Sequence, residues 1–137
     1  MLVLDRGAYD AVLDHAAEDA PREACGILAG RSVGERRVVE SSIRLANVAA
    51  SPHVEYRIDP AALLATIEDI EAADRSVLGF YHSHPAGPVT PSDRDRRDAH
   101  WVDHHYVVVS LAGPVPTVDA WRWTGTSFAA AAVAVRG

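Results

Sequence analysis

Lysine is missing from this 137-residue sequence; all 13 basic side chains are arginine. A GC-rich genome, or a high-salt cytoplasm that favours acidic side chains, accounts for such a composition. Cysteine is limited to Cys25. An intrachain disulfide is therefore excluded, and a reducing compartment fits. No apolar run is long enough to cross a bilayer, and the longest, Phe128 to Val135, falls far short. The N-terminus lacks the charged-then-apolar pattern of a secretory signal, so the expectation is a cytoplasmic protein with no membrane partner. A basic face is missing as well. Net charge is -6, and the arginines are scattered singly or in pairs (Arg36-Arg37, Arg96-Arg97), so nucleic acid is not an expected partner. There is no linker and no repeat. With 48% apolar residues, residues 1–137 are expected to form a single domain that folds without staples.

What is present reads as alternating strands and helices. Met1 to Leu4 is a short apolar strand. Tyr9, Val12, Leu13 and Ala16 recur at helical spacing, which predicts a helix over Gly7 to Glu18, closed off by Pro21. Glu23 to Ala29 and Arg36 to Leu45 predict two strands around the turn-like Ser32-Val33-Gly34. Ala46 to Pro52 reads as loop and His53 to Ile58 as a short edge strand. Asp59-Pro60 predicts a helix start, with Leu63, Leu64, Ile67 and Ile70 as the core stripe. Val77 to Tyr81 predicts a central strand. A helix is expected from Thr90 as N-cap, with Asp93 as its capping-box partner. Tyr106 to Leu111 and Thr117 to Thr124 predict two more strands, with Trp121 and Trp123 on one face. Phe128 to Val135 is open between strand and helix. The expected class is α/β (α+β), a mixed sheet sandwiched by helices.

The chemistry concentrates in His82-Ser83-His84-Pro85 and Ser92-Asp93-Arg94-Asp95. On an extended strand end, residues two apart project to one side, so His82 and His84 can reach one ion. Ser92 and Asp95, three apart at a helix start, share one face. Two imidazoles, a carboxylate and an open position make a catalytic rather than a structural zinc sphere. Asp93 competes with Asp95, but its position suits capping. Cys25 reads as a buried core cysteine. His100, His104 and His105 read as surface or packing residues, and a zinc deaminase signature is excluded for want of a Cys-x-x-Cys pair.

His82-x-His84-Pro85 followed by Ser92-x-x-Asp95 resembles the H-x-H-P…S-x-x-D signature of the JAMM (MPN+) metalloprotease family. Glu23 to Gly30 resembles that family's E-x-x-G-x-L-x-G strand. Gly79-Phe80-Tyr81 and Tyr106 to Ser110 stand in family order, so the resemblance covers nearly the whole chain. The short form and Trp121-Arg122-Trp123 resemble the small archaeal desampylase-type isopeptidases. The resemblance implies the JAMM/MPN, cytidine-deaminase-like fold and one catalytic Zn2+ on His82, His84 and Asp95. It also implies Glu23 as general base and Ser92 as oxyanion donor. The implied partners are ubiquitin-like small modifier proteins and their lysine conjugates, with the modifier's tail added as a strand near Val54 to Ile58. For such an enzyme, freedom from lysine would also prevent its own modification. The alternatives are C-terminal processing of a ubiquitin-like sulfur-carrier protein and a non-catalytic MPN scaffold that binds a ubiquitin-like partner.

Overall fold

The computed structural model describes residues 1–137. In chain order the elements are β1 (Leu2–Asp5), α1 (Arg6–Asp19), β2 (Cys25–Val33), β3 (Arg36–Leu45), α2 (Pro60–Ala72), β4 (Ser76–His84), α3 (Asp93–Asp98), β5 (His105–Ser110), β6 (Thr117–Trp123), β7 (Phe128–Ala131) and β8 (Val133–Arg136).

All eight strands join one sheet in the order β7-β6-β5-β4-β2-β3-β1-β8. The two ends of that order, β7 and β8, are halves of one segment interrupted only at Ala132. One half pairs with β6 and the other with β1, and the Ala132 carbonyl accepts the Leu2 amide at 2.9 Å. The sheet therefore curls back toward itself. Phe128 to Val135, ambiguous in sequence, is strand because both neighbours offer it a ladder.

The mixed sheet packs helices on both faces. Ala8, Val12 and Ala16 of α1 join Leu2, Leu4, Leu28, Val39, Tyr81 and Val107 in one core. On the other face Ile70 of α2 packs with Ile27, Phe80, Tyr106 and Trp123. Strand alternation explains the split: Tyr81 belongs to the α1 face, Phe80 and His82 to the other. Gly26 is required where β2 crosses Tyr81, since a Cβ there would lie 2.3 Å from both the Ile43 carbonyl oxygen and the Tyr81 ring.

Two local expectations are corrected. His53 to Ile58 is no edge strand: it runs from a turn into extended chain outside any ladder. Its backbone partners lie elsewhere, because Arg57 donates to the Asn47 side chain at 3.1 Å and accepts from the Val48 amide at 2.9 Å. The N-cap of α3 is Ser92, not Thr90, and its capping-box partner is Asp95, not Asp93. Pro91 holds the chain extended ahead of the helix, so the first residue free to cap is Ser92.

Candidate metal centre

The site forms where the C-terminal end of β4 lies beside the N-terminal end of β2. These strands are antiparallel, with Cys25 opposite His82, while β4 and β5 are parallel, with His84 opposite Ser110. The site thus opens at the carboxyl end of a parallel strand pair, where ligands of α/β sheets usually sit. His82 and His84 project from β4 on one face, and α3 brings Asp95 over them.

Three atoms converge. His82 Nε2 and His84 Nε2 are 3.1 Å apart. The Asp95 Oδ2 lies 3.0 Å from the first and 3.1 Å from the second. For ligands about 2.0–2.1 Å from a tetrahedral zinc, neighbouring donor atoms are ~3.3 Å apart. This donor triangle therefore fits a small divalent ion. His84 Nδ1 lies 2.6 Å from the Pro88 carbonyl, which can only accept. That partner assigns the Nδ1–H tautomer and leaves Nε2 with its lone pair. The Tyr56 ring stacks on His82 at 4.5 Å between centroids.

Glu23 stands beside the two imidazoles. It is 5% exposed, and its Oε1 has no hydrogen-bond partner. Glu23, His82 and His84 each offer one ligand atom within 4.8 Å of the others, so Glu23 also belongs to a possible metal site. Asp95 makes the closer contacts to both imidazoles. Burial pushes the Glu23 carboxyl up to about 7, against the opposing charge of His84. Burial acts the same way on Asp95, but the two imidazoles beside it and the Ser92 amide outweigh it and hold that carboxyl well below the ordinary range.

Of the residues expected at the site, Glu23, His82, His84 and Asp95 gather within a few ångströms, and Ser92 sits at the rim as the cap of α3. Asp93 points to solvent and pairs with Arg96. Cys25 is buried beside them, its thiol pushed up to about 12 by burial, which leaves it inert. His105 is buried at the start of β5, and the only cluster of metal-binding side chains is the one described.

Three supporting residues escaped sequence reasoning. Ser83, between the histidines, accepts the Ala24 amide at 2.8 Å and gives its own amide to the Ala24 carbonyl at 3.0 Å. It ties the ligand strand to the residue after Glu23. Asn47 binds the Glu23 carbonyl at 3.0 Å. Trp121 neither joins the core nor faces solvent fully: its indole N–H donates to the Val89 carbonyl at 3.2 Å, holding the loop between His84 and Ser92. No local pattern announces such long-range bonds.

The sequence profile described as "Prokaryotic homologs of the JAB domain" matches residues 5–124. A protein of Haloferax volcanii named "Desampylase" is 41% identical over 138 residues, covering 98% of this chain and 96% of its own length. A "CysO-cysteine peptidase" of Mycobacterium bovis is 38% identical over 114 residues, 83% of this chain and 76% of its own. Among solved structures, a protein from Desulfitobacterium hafniense superposes with a TM-score of 0.90 at 32% identity, covering 99% of this chain and 93% of that one.

Proposed function

The chain belongs to the family of prokaryotic homologues of the JAB domain, and on that premise we propose that it is a zinc-dependent isopeptidase. Its substrate would be the amide between the C-terminal glycine of a ubiquitin-like modifier and a lysine of the target. The observation that carries this is the Asp95 carboxylate closing a triangle with His82 and His84 while Glu23, beside them, keeps an unpartnered oxygen. The relative named desampylase, alike over nearly its whole length, supports the substrate class.

In this reading His82, His84 and Asp95 hold the ion, and Glu23 stays free. Zinc there would polarise the scissile carbonyl and make water acidic near neutral pH. Glu23 takes a proton from the attacking water. It then returns that proton to the departing amine as the C–N bond breaks, so the base is regenerated. A buried carboxylate with a free oxygen beside the ligands is placed to carry that proton in both directions. Ser92 donates to the carbonyl oxygen as its negative charge grows. All five residues are present, which argues against a scaffold that only binds. No helix is long and apolar enough to cross a membrane. The lone Cys25 is buried and unpaired, which favours the cytoplasm. The whole of 1–137 acts as one domain, one sheet running from Leu2 to Arg136.

The test is cleavage of a lysine-linked modifier conjugate, with chelator and then with zinc restored. Loss and recovery of activity support the reading. If nothing is cut under any metal or salt condition, the lysine-linked substrate is wrong. The relative named CysO-cysteine peptidase supports a second reading, removal of a cysteine from a carrier protein's C-terminus. A substrate with an α-amine leaving group separates the two.

A further inference from the structure

Glu23 lies between the end of α1 and the start of β2, so neither helix nor ladder takes its backbone polar groups. Both go instead to the segment after β3. The Glu23 amide donates to the Pro52 carbonyl at 2.7 Å, and its carbonyl accepts from Asn47 Nδ2 at 3.0 Å. The side chain adds no anchor, since Oε1 is unpartnered.

Asn47 uses its whole bonding capacity there. Nδ2 also meets the Glu55 carbonyl at 2.9 Å and the Pro52 carbonyl at 3.5 Å. Oδ1 accepts the Ala49 and Arg57 amides at 3.0 and 3.1 Å. Every partner fixes the amide's orientation, because a flip would set oxygen against carbonyls and nitrogen against amides. One side chain thus folds residues 47–57 around itself and fastens them to Glu23. The same segment walls a cavity of about 660 Å³ through Ala49, Glu55, Tyr56 and Ile58, opposite Phe80 and Trp101. Through Tyr56 it reaches His82.

We infer that Asn47 is a positioning residue for Glu23, coupling the order of the cavity's outer wall to the placement of the carboxylate. This rests on the proposed role of Glu23 as base. A base displaced by about 1 Å can cost on the order of 100-fold in rate. Asn47 touches no reacting atom, and His82, His84 and Asp95 are carried by β4 and α3 rather than by this segment, so disturbing it should act on kcat more than on metal binding.

The variants are Asn47→Asp, which keeps shape and acceptors but loses both donors, and Asn47→Ala. The assays are steady-state cleavage of a modifier conjugate, zinc affinity by chelator competition, and amide hydrogen exchange of the metal-free protein. We expect kcat to fall roughly 10- to 100-fold, with KM and zinc affinity within about threefold of wild type. The Glu23 amide, held by the loop, should exchange faster, while the Ala24 amide, held by Ser83, stays protected. A merely structural role would free both amides together. A kcat within twofold of wild type, a parallel loss of zinc affinity, or joint exchange of Glu23 and Ala24 overturns the inference. If the wild type itself cuts nothing, the isopeptidase reading falls, and selective exchange at Glu23 still reports on the tether.

Discussion

Ser92 and Asp95 satisfy each other across the first turn of α3: the Ser92 hydroxyl accepts the Asp95 amide at 3.1 Å, and Asp95 Oδ2 accepts the Ser92 amide at 2.9 Å. That carboxylate oxygen is the one shared with His82 and His84. The helix cap and the donor triangle therefore share an atom, and the capping box sets where the carboxylate points. A hydroxyl that accepts one bond still has its proton to give, so capping does not consume Ser92.

Ser92→Ala should accordingly do two things. Losing the cap should cost about 1 kcal/mol of stability, read by denaturant melts. Losing the donor should lower kcat roughly 100- to 1000-fold. Ser92→Thr, which keeps a hydroxyl, should restore most of both. A Ser92→Ala enzyme within threefold of wild-type kcat removes Ser92 from the chemistry and leaves it a cap.

Glu23→Gln separates base from ligand. The amide keeps the shape and cannot take the proton, so kcat should drop roughly 100- to 10,000-fold. Zinc affinity should hold, because Asp95 rather than Glu23 closes the triangle. Should affinity collapse with activity, Glu23 is itself a ligand, in line with its place among Glu23, His82 and His84.

The parts of this molecule legible in sequence are those set by short-range rules. The pleat places His82 and His84 on one side, as the structure shows; Ser92 and Asp95 do meet, but as N-cap and capping-box partner rather than as neighbours on one helical face. Asp59 caps α2 as its neighbour Pro60 suggests, accepting the Ala62 amide at 3.0 Å. The misplaced cap of α3 is a local error set by Pro91; the other failures share one cause. His53 to Ile58 has strand-like composition, but its hydrogen bonds go to Asn47 and Val48 rather than to a strand. The closing role of Phe128 to Arg136 depends on strands at opposite ends of the sheet, a relation no local window contains. Asn47 looks like an ordinary loop residue until Glu23 is seen against it.

The Tyr81–His15–Asp19 chain predicts a stability effect away from the chemistry. His15 Nε2 donates to Asp19 at 3.0 Å, and its Nδ1 accepts the Tyr81 hydroxyl at 2.7 Å, all against the buried face of α1. Tyr81→Phe leaves a buried imidazole nitrogen unpaired, which should cost about 1–3 kcal/mol. Zinc affinity should stay within about threefold, since the Tyr81 ring that packs on Gly26 remains. A denaturant midpoint equal to wild type would mean that the hydroxyl contributes nothing net.

His105 makes the pH dependence of stability specific. It is 5% exposed, its Nδ1 has no partner, and burial holds its pKa at about 4 against an ordinary 6.5. The charges nearest it, the N-terminal ammonium, Arg37 and Arg122, push the same way. Between those two values the unfolded chain binds a proton at this residue and the folded chain does not. Stability contributed here is therefore whole above pH 6.5 and is lost progressively as pH falls toward 4. His105→Gln cannot titrate, so its melting temperature should fall less than that of wild type over the same interval. The comparison belongs to the metal-free protein, because metal binding by histidines is itself linked to protons. His15, whose pKa burial also lowers, is common to both proteins and cancels in the difference. Parallel curves for variant and wild type would show that the His105 ring accepts its proton inside the fold as readily as outside it.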